Sequence, residues 1–257
     1  MDLHLTGKTA VVTGAGKGIG LAVTRALADE GVRVVAGSRT VTSQLAAVDG
    51  VVPVATDLAT PDGPARLVAE AVAHGGVDIL VNNVGATHAR PGGFASITDD
   101  DWIATLTVNL LTAVRTTRAA LPSLLSRGGA IVTVCSVNAT LPDPLVMDYS
   151  AAKAALLNFC KALSKEVGPH GVRVNTVSPG PVSTDLWLGA TGMARTVGKA
   201  SGASPDEVAK GAAAQSVTDR FTTPDEVAAL VVTLASPRLA NLTGADHILD
   251  GGLVTTV

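Results

Sequence analysis

Apolar and polar positions along this chain follow two alternating rhythms. Short, mostly apolar runs lie at residues 8–13, 33–37, 50–54, 77–81, 129–135, 172–177 and 246–249, and most give way to glycine, asparagine, serine or aspartate. Continuous runs of this length, rich in valine and isoleucine, predict strands buried on both faces, as in a parallel sheet. Between them, apolar residues recur every three or four positions. Ile19, Ala22, Val23, Ala26 and Leu27 share one helical face before Gly31, and Ala152, Leu156, Phe159 and Leu163 share another before Gly168-Pro169. Thr60-Pro61-Asp62, Ser204-Pro205-Asp206-Glu207 and Thr223-Pro224-Asp225-Glu226 each join a capping residue to a proline and predict helix starts. Thr98 with Asp101 forms a capping-box variant for a long helix running towards Arg127. Strand and helix alternate throughout with no dividing linker. The expectation is one α/β domain over residues 1–257, a doubly wound parallel sheet of about seven strands with helices on both faces. Residues 185–215 are small, polar and glycine-bearing, and read as a substrate lid with Trp187 and Met193 as its substrate-facing apolar groups.

Composition narrows the function. The chain is 47% hydrophobic but only 2% aromatic and 16% charged, which suits a core of small aliphatic side chains and surface hidden by self-association. A net charge of −3 provides no basic field for nucleic acid. No apolar run approaches the roughly 18 residues of a membrane span, and residues 1–7 lack the pattern of a signal peptide. Cys135 and Cys160 have no metal-ligand spacing and the five histidines are scattered. No metal is assigned, and the cysteines read as reduced core residues of a cytoplasmic protein.

Candidate chemistry collects where predicted strands end. Thr13-Gly14-Ala15-Gly16-Lys17-Gly18-Ile19-Gly20 follows the first strand and opens a helix. Glycines there let the backbone turn tightly and approach a pyrophosphate, whose charge sits at the helix N-terminus, so a Rossmann-type dinucleotide fold is expected. Lys17 is followed by glycine rather than Ser or Thr, which argues against a magnesium-binding P-loop. The second strand runs into Ser38-Arg39, where a protein selecting the unphosphorylated dinucleotide usually carries Asp or Glu. An arginine can hold a 2′-phosphate bidentately and Lys17 adds a second positive charge, so NADP(H) is the preferred cofactor, with NAD(H) possible. Tyr149 is the only tyrosine, and Lys153 stands four residues later, on the same face of a helix. An ammonium beside a phenol favours the phenolate, as proton exchange near neutral pH requires. Ser136 ends the fifth strand, Asn82-Asn83-Val84-Gly85 the fourth, and Asn109 lies on the long helix.

Taken in this order, these pieces resemble the short-chain dehydrogenase/reductase family from about residue 7 to residue 252, with Asp57, Pro179-Gly180 with Thr184, and Asp250-Gly251-Gly252 completing the set. The resemblance implies a catalytic set of Asn109, Ser136, Tyr149 and Lys153. It implies a cofactor site made by Gly14, Gly16, Lys17, Gly18, Ile19, Gly20, Ser38, Arg39, Asp57, Leu58, Asn83, Gly85, Tyr149, Lys153, Pro179, Gly180, Val182 and Thr184. Within that site Asp57 would contact adenine, Asn83 and Gly85 the adenosine side, Lys153 the nicotinamide ribose and Thr184 the carboxamide. Asn109 would hold a water in a proton relay to Lys153. Val84 stands where the family commonly has alanine. The implied activity is hydride transfer between NADP(H) and a carbonyl or secondary alcohol, with a 3-oxoacyl thioester among the candidates beside steroids, sugars and polyketide intermediates. The implied assembly is a homo-oligomer, tetramer or dimer, through the helices bearing Asn109 and Tyr149. A catalytically inactive dinucleotide-binding regulatory or scaffold protein is the alternative, but it should lack part of the Asn-Ser-Tyr-Lys set, which is complete here. A Rossmann-type methyltransferase would be stabilised by S-adenosylmethionine rather than NADP(H).

Overall fold

The structure is a computed structural model and describes residues 1–256. In chain order its elements are β1 (Thr9–Thr13), α1 (Gly18–Asp29), β2 (Arg33–Ser38), α2 (Ser43–Ala46), β3 (Val51–Ala55), α3 (Gly63–Ala73), β4 (Ile79–Asn82), α4 (Asp99–Leu106), α5 (Thr112–Arg127), β5 (Gly129–Val134), α6 (Met147–Val167), β6 (Val172–Pro179), α7 (Asp185–Leu188), α8 (Met193–Ser201), α9 (Pro205–Ala213), α10 (Pro224–Ala235) and β7 (Asp246–Leu249). The strands form one sheet in the order β3-β2-β1-β4-β5-β6-β7, and every pairing is parallel. This is the doubly wound, Rossmann-type arrangement expected from the alternation of strands and helices.

Successive strand residues point to opposite faces, and here both faces are dry. Val12 and Val34 join a core completed by α1 and α10, while Val11 and Val35 join a second core completed by α3, α5 and α6. That is why the strand sequences read as unbroken apolar runs. Sheet order reverses between β1 and β4, and a crevice at the carboxyl ends of the strands flanking such a reversal is where ligands bind in this architecture. Among the described residues, no helix is long and apolar enough to cross a membrane.

Three local expectations are corrected. The helix predicted to open at Thr60-Pro61 begins at Gly63, with Asp62 at the N-cap and Pro64 in the first turn. The Thr60 hydroxyl donates to the Asp57 carbonyl at 2.8 Å and accepts from the Gly63 amide at 3.1 Å, so a hydroxyl-closed turn precedes the helix. The long helix towards Arg127 starts at the predicted Thr98–Asp101 capping box, but a π-turn over Thr107–Leu111 divides it into α4 and α5. The Thr112 hydroxyl donates to the carbonyl of Thr107, five residues back, at 3.1 Å. Residues 185–215 are largely helical and partly core: Met193 and Ala194 are buried, and Trp187 packs edge-on against Phe221 with ring centroids 5.4 Å apart.

Candidate active site

The glycine loop between β1 and α1 is fixed from below by β4. The Thr13 hydroxyl donates to the Val81 carbonyl at 3.2 Å and accepts from the Asn83 amide at 2.8 Å. The Asn83 side chain donates to the carbonyls of Thr13 and Gly14 at 3.0 and 3.2 Å. Gly14 and Gly18 adopt positive φ, +68° and +55°, which side chains other than glycine rarely accept. A Cβ on Gly20 would lie 2.1 Å from the Gly14 carbonyl oxygen, so the turn closes only around glycine. Ile19 packs partly against the core beneath. At the N-cap of α1, Lys17 offers no side-chain bond. The first-turn amides therefore keep the donors and the positive dipole end that favour an anion.

The predicted cofactor residues gather round this loop. A Cβ on Gly16 would meet Ser38 Cβ at 3.2 Å, and one on Gly18 would meet Thr184 Cγ2 at 3.2 Å. Ser38 is buried at the end of β2, its hydroxyl donating to the Thr40 carbonyl at 2.8 Å. Arg39 beside it is exposed and enters no ion pair among the described residues. Lys17, expected to add a second positive charge, has a partner of its own. Its ammonium pairs with Asp185 at 3.2 Å, with both side chains well exposed, so it is the weaker cationic element. Asp57 is exposed, its carboxylate accepting from the Ala59 amide at 3.0 Å. Leu58 is buried, its carbonyl accepting from Thr112 at 3.2 Å. Pro179 ends β6, Gly180 donates its amide to Leu249 at 3.1 Å, and Val182 is buried. Glycine backbone, an uncapped helix start and a free arginine fit a phosphorylated dinucleotide.

The predicted catalytic residues meet where β5 runs into α6. Lys153 is 2% exposed. Its ammonium donates to the Val134 carbonyl at 3.0 Å and lies 5.6 Å from the centre of the Tyr149 ring. The Cys135 thiol donates to the Lys153 carbonyl at 3.3 Å. This double stitch brings Ser136, the next residue, alongside α6. Burial pushes the Cys135 thiol up and the Cys160 thiol up to about 12, which keeps both as thiols. Gly85 closes the other side: a Cβ there would stand 3.2 Å from Asn109 Oδ1 and 3.4 Å from Lys153 Nζ. Asn109 is buried within the π-turn. It accepts from the Ala86 amide at 3.1 Å and donates to the Ala86 and Thr105 carbonyls at 2.9 and 3.0 Å. The π-turn, a feature frequent at functional sites, sets that side chain against the loop after β4.

Two neighbours escaped sequence reasoning. Asn138 donates its amide to Ser136 Oγ at 3.2 Å, and the Ser136 hydroxyl donates to Asn138 Oδ1 at 3.3 Å; a serine two residues before asparagine at a strand end was the available signal. Asp148, just before Tyr149, is 2% exposed and bonded to Arg90, a partner 58 residues away that no local pattern announces.

A nucleotide-type crevice ending in a Ser-Tyr-Lys cluster defines a class, and the comparisons agree with it. The profile of the short chain dehydrogenase family matches residues 8–193. A 3-oxoacyl-[acyl-carrier-protein] reductase of Vibrio cholerae is 34% identical over 98% of this chain and 99% of its own. D-threitol dehydrogenase of Mycolicibacterium smegmatis is 36% identical over 98% of this chain and 94% of its own. The crystal structure of L-sorbose reductase from Gluconobacter frateurii, complexed with NADPH and L-sorbose, matches over 100% of both chains with a TM-score of 0.90 and 33% identity. The chain belongs to the short chain dehydrogenase family. It is an oxidoreductase of CH–OH and C=O groups.

Proposed function

We propose that this chain reduces a ketone to a secondary alcohol, or runs the reverse, with NADP(H) as the preferred hydride partner. The observation that carries the reading is the packing of Lys153 against Tyr149 at the Ser136 end of β5, within reach of the glycine loop through Gly85 and Asn83. The bound dinucleotide supplies or receives the hydride. As a carbonyl carbon gains hydride its oxygen gains charge, and the Tyr149 phenol gives up its proton to that oxygen. Ser136 turns its hydroxyl from Asn138 Oδ1 to the same oxygen and stabilises it as it charges. Lys153, held by Val134, keeps positive charge beside the phenolate left behind, and Asn109 organises the route by which that phenolate regains a proton. Arg39 selects the 2′-phosphate, and the alternative NAD(H) is used less well.

Residues 185–215 act as the lid of a single domain over 1–257. Both 3-oxoacyl thioesters and sugar-type ketones or polyols fall within the proposed substrate class, since relatives named for each match this chain at 33–36% identity. The exposed Ile103, Leu111 and Leu125 on and between α4 and α5 support self-association as a dimer or tetramer of a cytoplasmic enzyme. A panel of acyl, sugar and simple cyclic ketones, run with NADPH and NADH side by side, tests the reading. Turnover with NADPH favoured supports it. Clear preference for NADH defeats the cofactor assignment, and no oxidation with any member defeats the activity.

A further inference from the structure

We infer that Arg90 and Asp148 form a part-buried clasp that positions Tyr149, tying the loop after β4 to the first turn of α6. Arg90 donates through Nε and Nη2 to one oxygen of Asp148, Oδ2, at 3.2 and 2.6 Å. Its third nitrogen, Nη1, donates to Asp101 Oδ1 at 2.9 Å, and Asp101 is itself the capping-box partner of Thr98 at the start of α4. Thr105 on α4 adds a hydroxyl bond to Asp148 Oδ2 at 2.8 Å. The Arg90 amide donates to the Leu145 carbonyl at 2.7 Å, just ahead of α6. Three segments, the 86–96 loop, α4 and the start of α6, are thus joined through a carboxylate that directly precedes Tyr149.

The clasp has a polarity that a general surface ion pair lacks. Asp148 Oδ2 collects three donors, whereas buried Oδ1 has no hydrogen-bond partner among the described residues. The side chains that hold the carboxylate therefore all come from α4 and the loop, which fixes the angle at which the first turn of α6 enters. Four residues beyond Thr105, in the π-turn, Asn109 grips Ala86 and Thr105, so the loop is pinned at both 86 and 90. With these anchors, the Tyr149 hydroxyl and the wall of the substrate pocket move as one body. Neither Arg90 nor Asp148 touches the reacting atoms; both are positioning residues.

This inference rests on the reading of Tyr149 as the acid, and the test separates the two. At a temperature well below each variant's melting point, Asp148→Asn is expected to lower kcat at least tenfold. KM for NADPH and the stabilisation by NADPH should stay unchanged, because the glycine loop lies elsewhere. Arg90→Gln should do the same, and Arg90→Lys, which keeps the charge but not the fork geometry, should recover part of the loss. Full kcat in Asp148→Asn would overturn the clasp, as would an equal fall in kcat and NADPH affinity. If Asp148→Asn does not fold, Arg90→Lys decides by the same split: reduced kcat with intact NADPH binding supports the clasp, and unchanged kcat overturns it. An active Tyr149→Phe would overturn the parent reading; an inactive Tyr149→Phe beside a fully active Asp148→Asn would overturn the clasp alone.

Discussion

At Gly20 the first turn of α1 passes so close to Gly14 that a Cβ would come within 2.1 Å of its carbonyl oxygen and 2.5 Å of Asn83 Nδ2. Backbone cannot yield as a flexible side chain can, so Gly20→Ala should cost about 2 kcal/mol by overpacking. That corresponds to a fall of roughly 5 °C in melting temperature for a domain of this size, readable by thermal denaturation, together with loss of the NADPH-induced stabilisation. Arg39 stands exposed just past the end of β2 and, among the described residues, enters no ion pair. A charged hydrogen-bond partner of phosphate contributes about 1.5 kcal/mol or more, so Arg39→Ala should raise KM for NADPH about tenfold while leaving KM for NADH nearly unchanged. Steady-state kinetics with both cofactors checks it, and an equal rise for both would remove Arg39 from the selectivity. Lys17, held by Asp185, should show the smaller effect. The places of these residues in the fold, at a glycine turn and a strand end, were legible because both are local signals. Sequence said nothing of the Lys17–Asp185 pair, whose members are 168 residues apart.

Among the elements, α6 carries both the proposed proton donor, Tyr149, and Asp148, proposed to position it. Burial alone would push the Asp148 carboxyl up, but hydrogen bonds from Arg90 and Thr105 outweigh it and hold the group below its ordinary 3.8. The sign follows. A carboxyl depressed in the fold stabilises the fold above its unfolded value and loses that contribution as pH falls through the folded value. Breaking a buried pair costs about 3 kcal/mol, so Arg90→Gln should melt well below the parent at pH 7, and the gap should shrink as pH drops below 3.8. A gap independent of pH down to acid unfolding would contradict the assignment. Strand and helix order, the Thr98, Ser204 and Thr223 caps and the edge strand 246–249 were all legible, since each depends on spacing over a few residues. The π-turn at Asn109 was not, because it is set by the loop after β4 packing onto that helix. Nor was the start of α3, where Thr60 closes a turn before Gly63 and Pro64 takes the helical position expected of Pro61. In residues 185–192 and 193–203, glycines and polar residues masked two short helices, α7 and α8, the second of which draws Met193 and Ala194 into the interior.

Across the whole molecule, the sheet reversal between β1 and β4 places three features at one edge: the glycine loop, the free Arg39 and the Ser136–Tyr149–Lys153 cluster. Family membership and the shared fold define an oxidoreductase, and this edge is where its chemistry is proposed. Sequence order could anticipate that convergence because parallel strands deliver all their carboxyl ends to the same side. It could not name the substrate, because the segments proposed to wall its pocket, the 86–96 loop, the stretch from Ala139 to Met147 and α7 to α9, are shaped by tertiary packing. The most direct measurement is NADPH oxidation by wild type and Tyr149→Phe on one responsive ketone, with NADPH binding followed in parallel. A fall in kcat of at least a thousandfold at nearly unchanged NADPH affinity is the predicted result, and near-wild-type turnover by Tyr149→Phe would contradict the account.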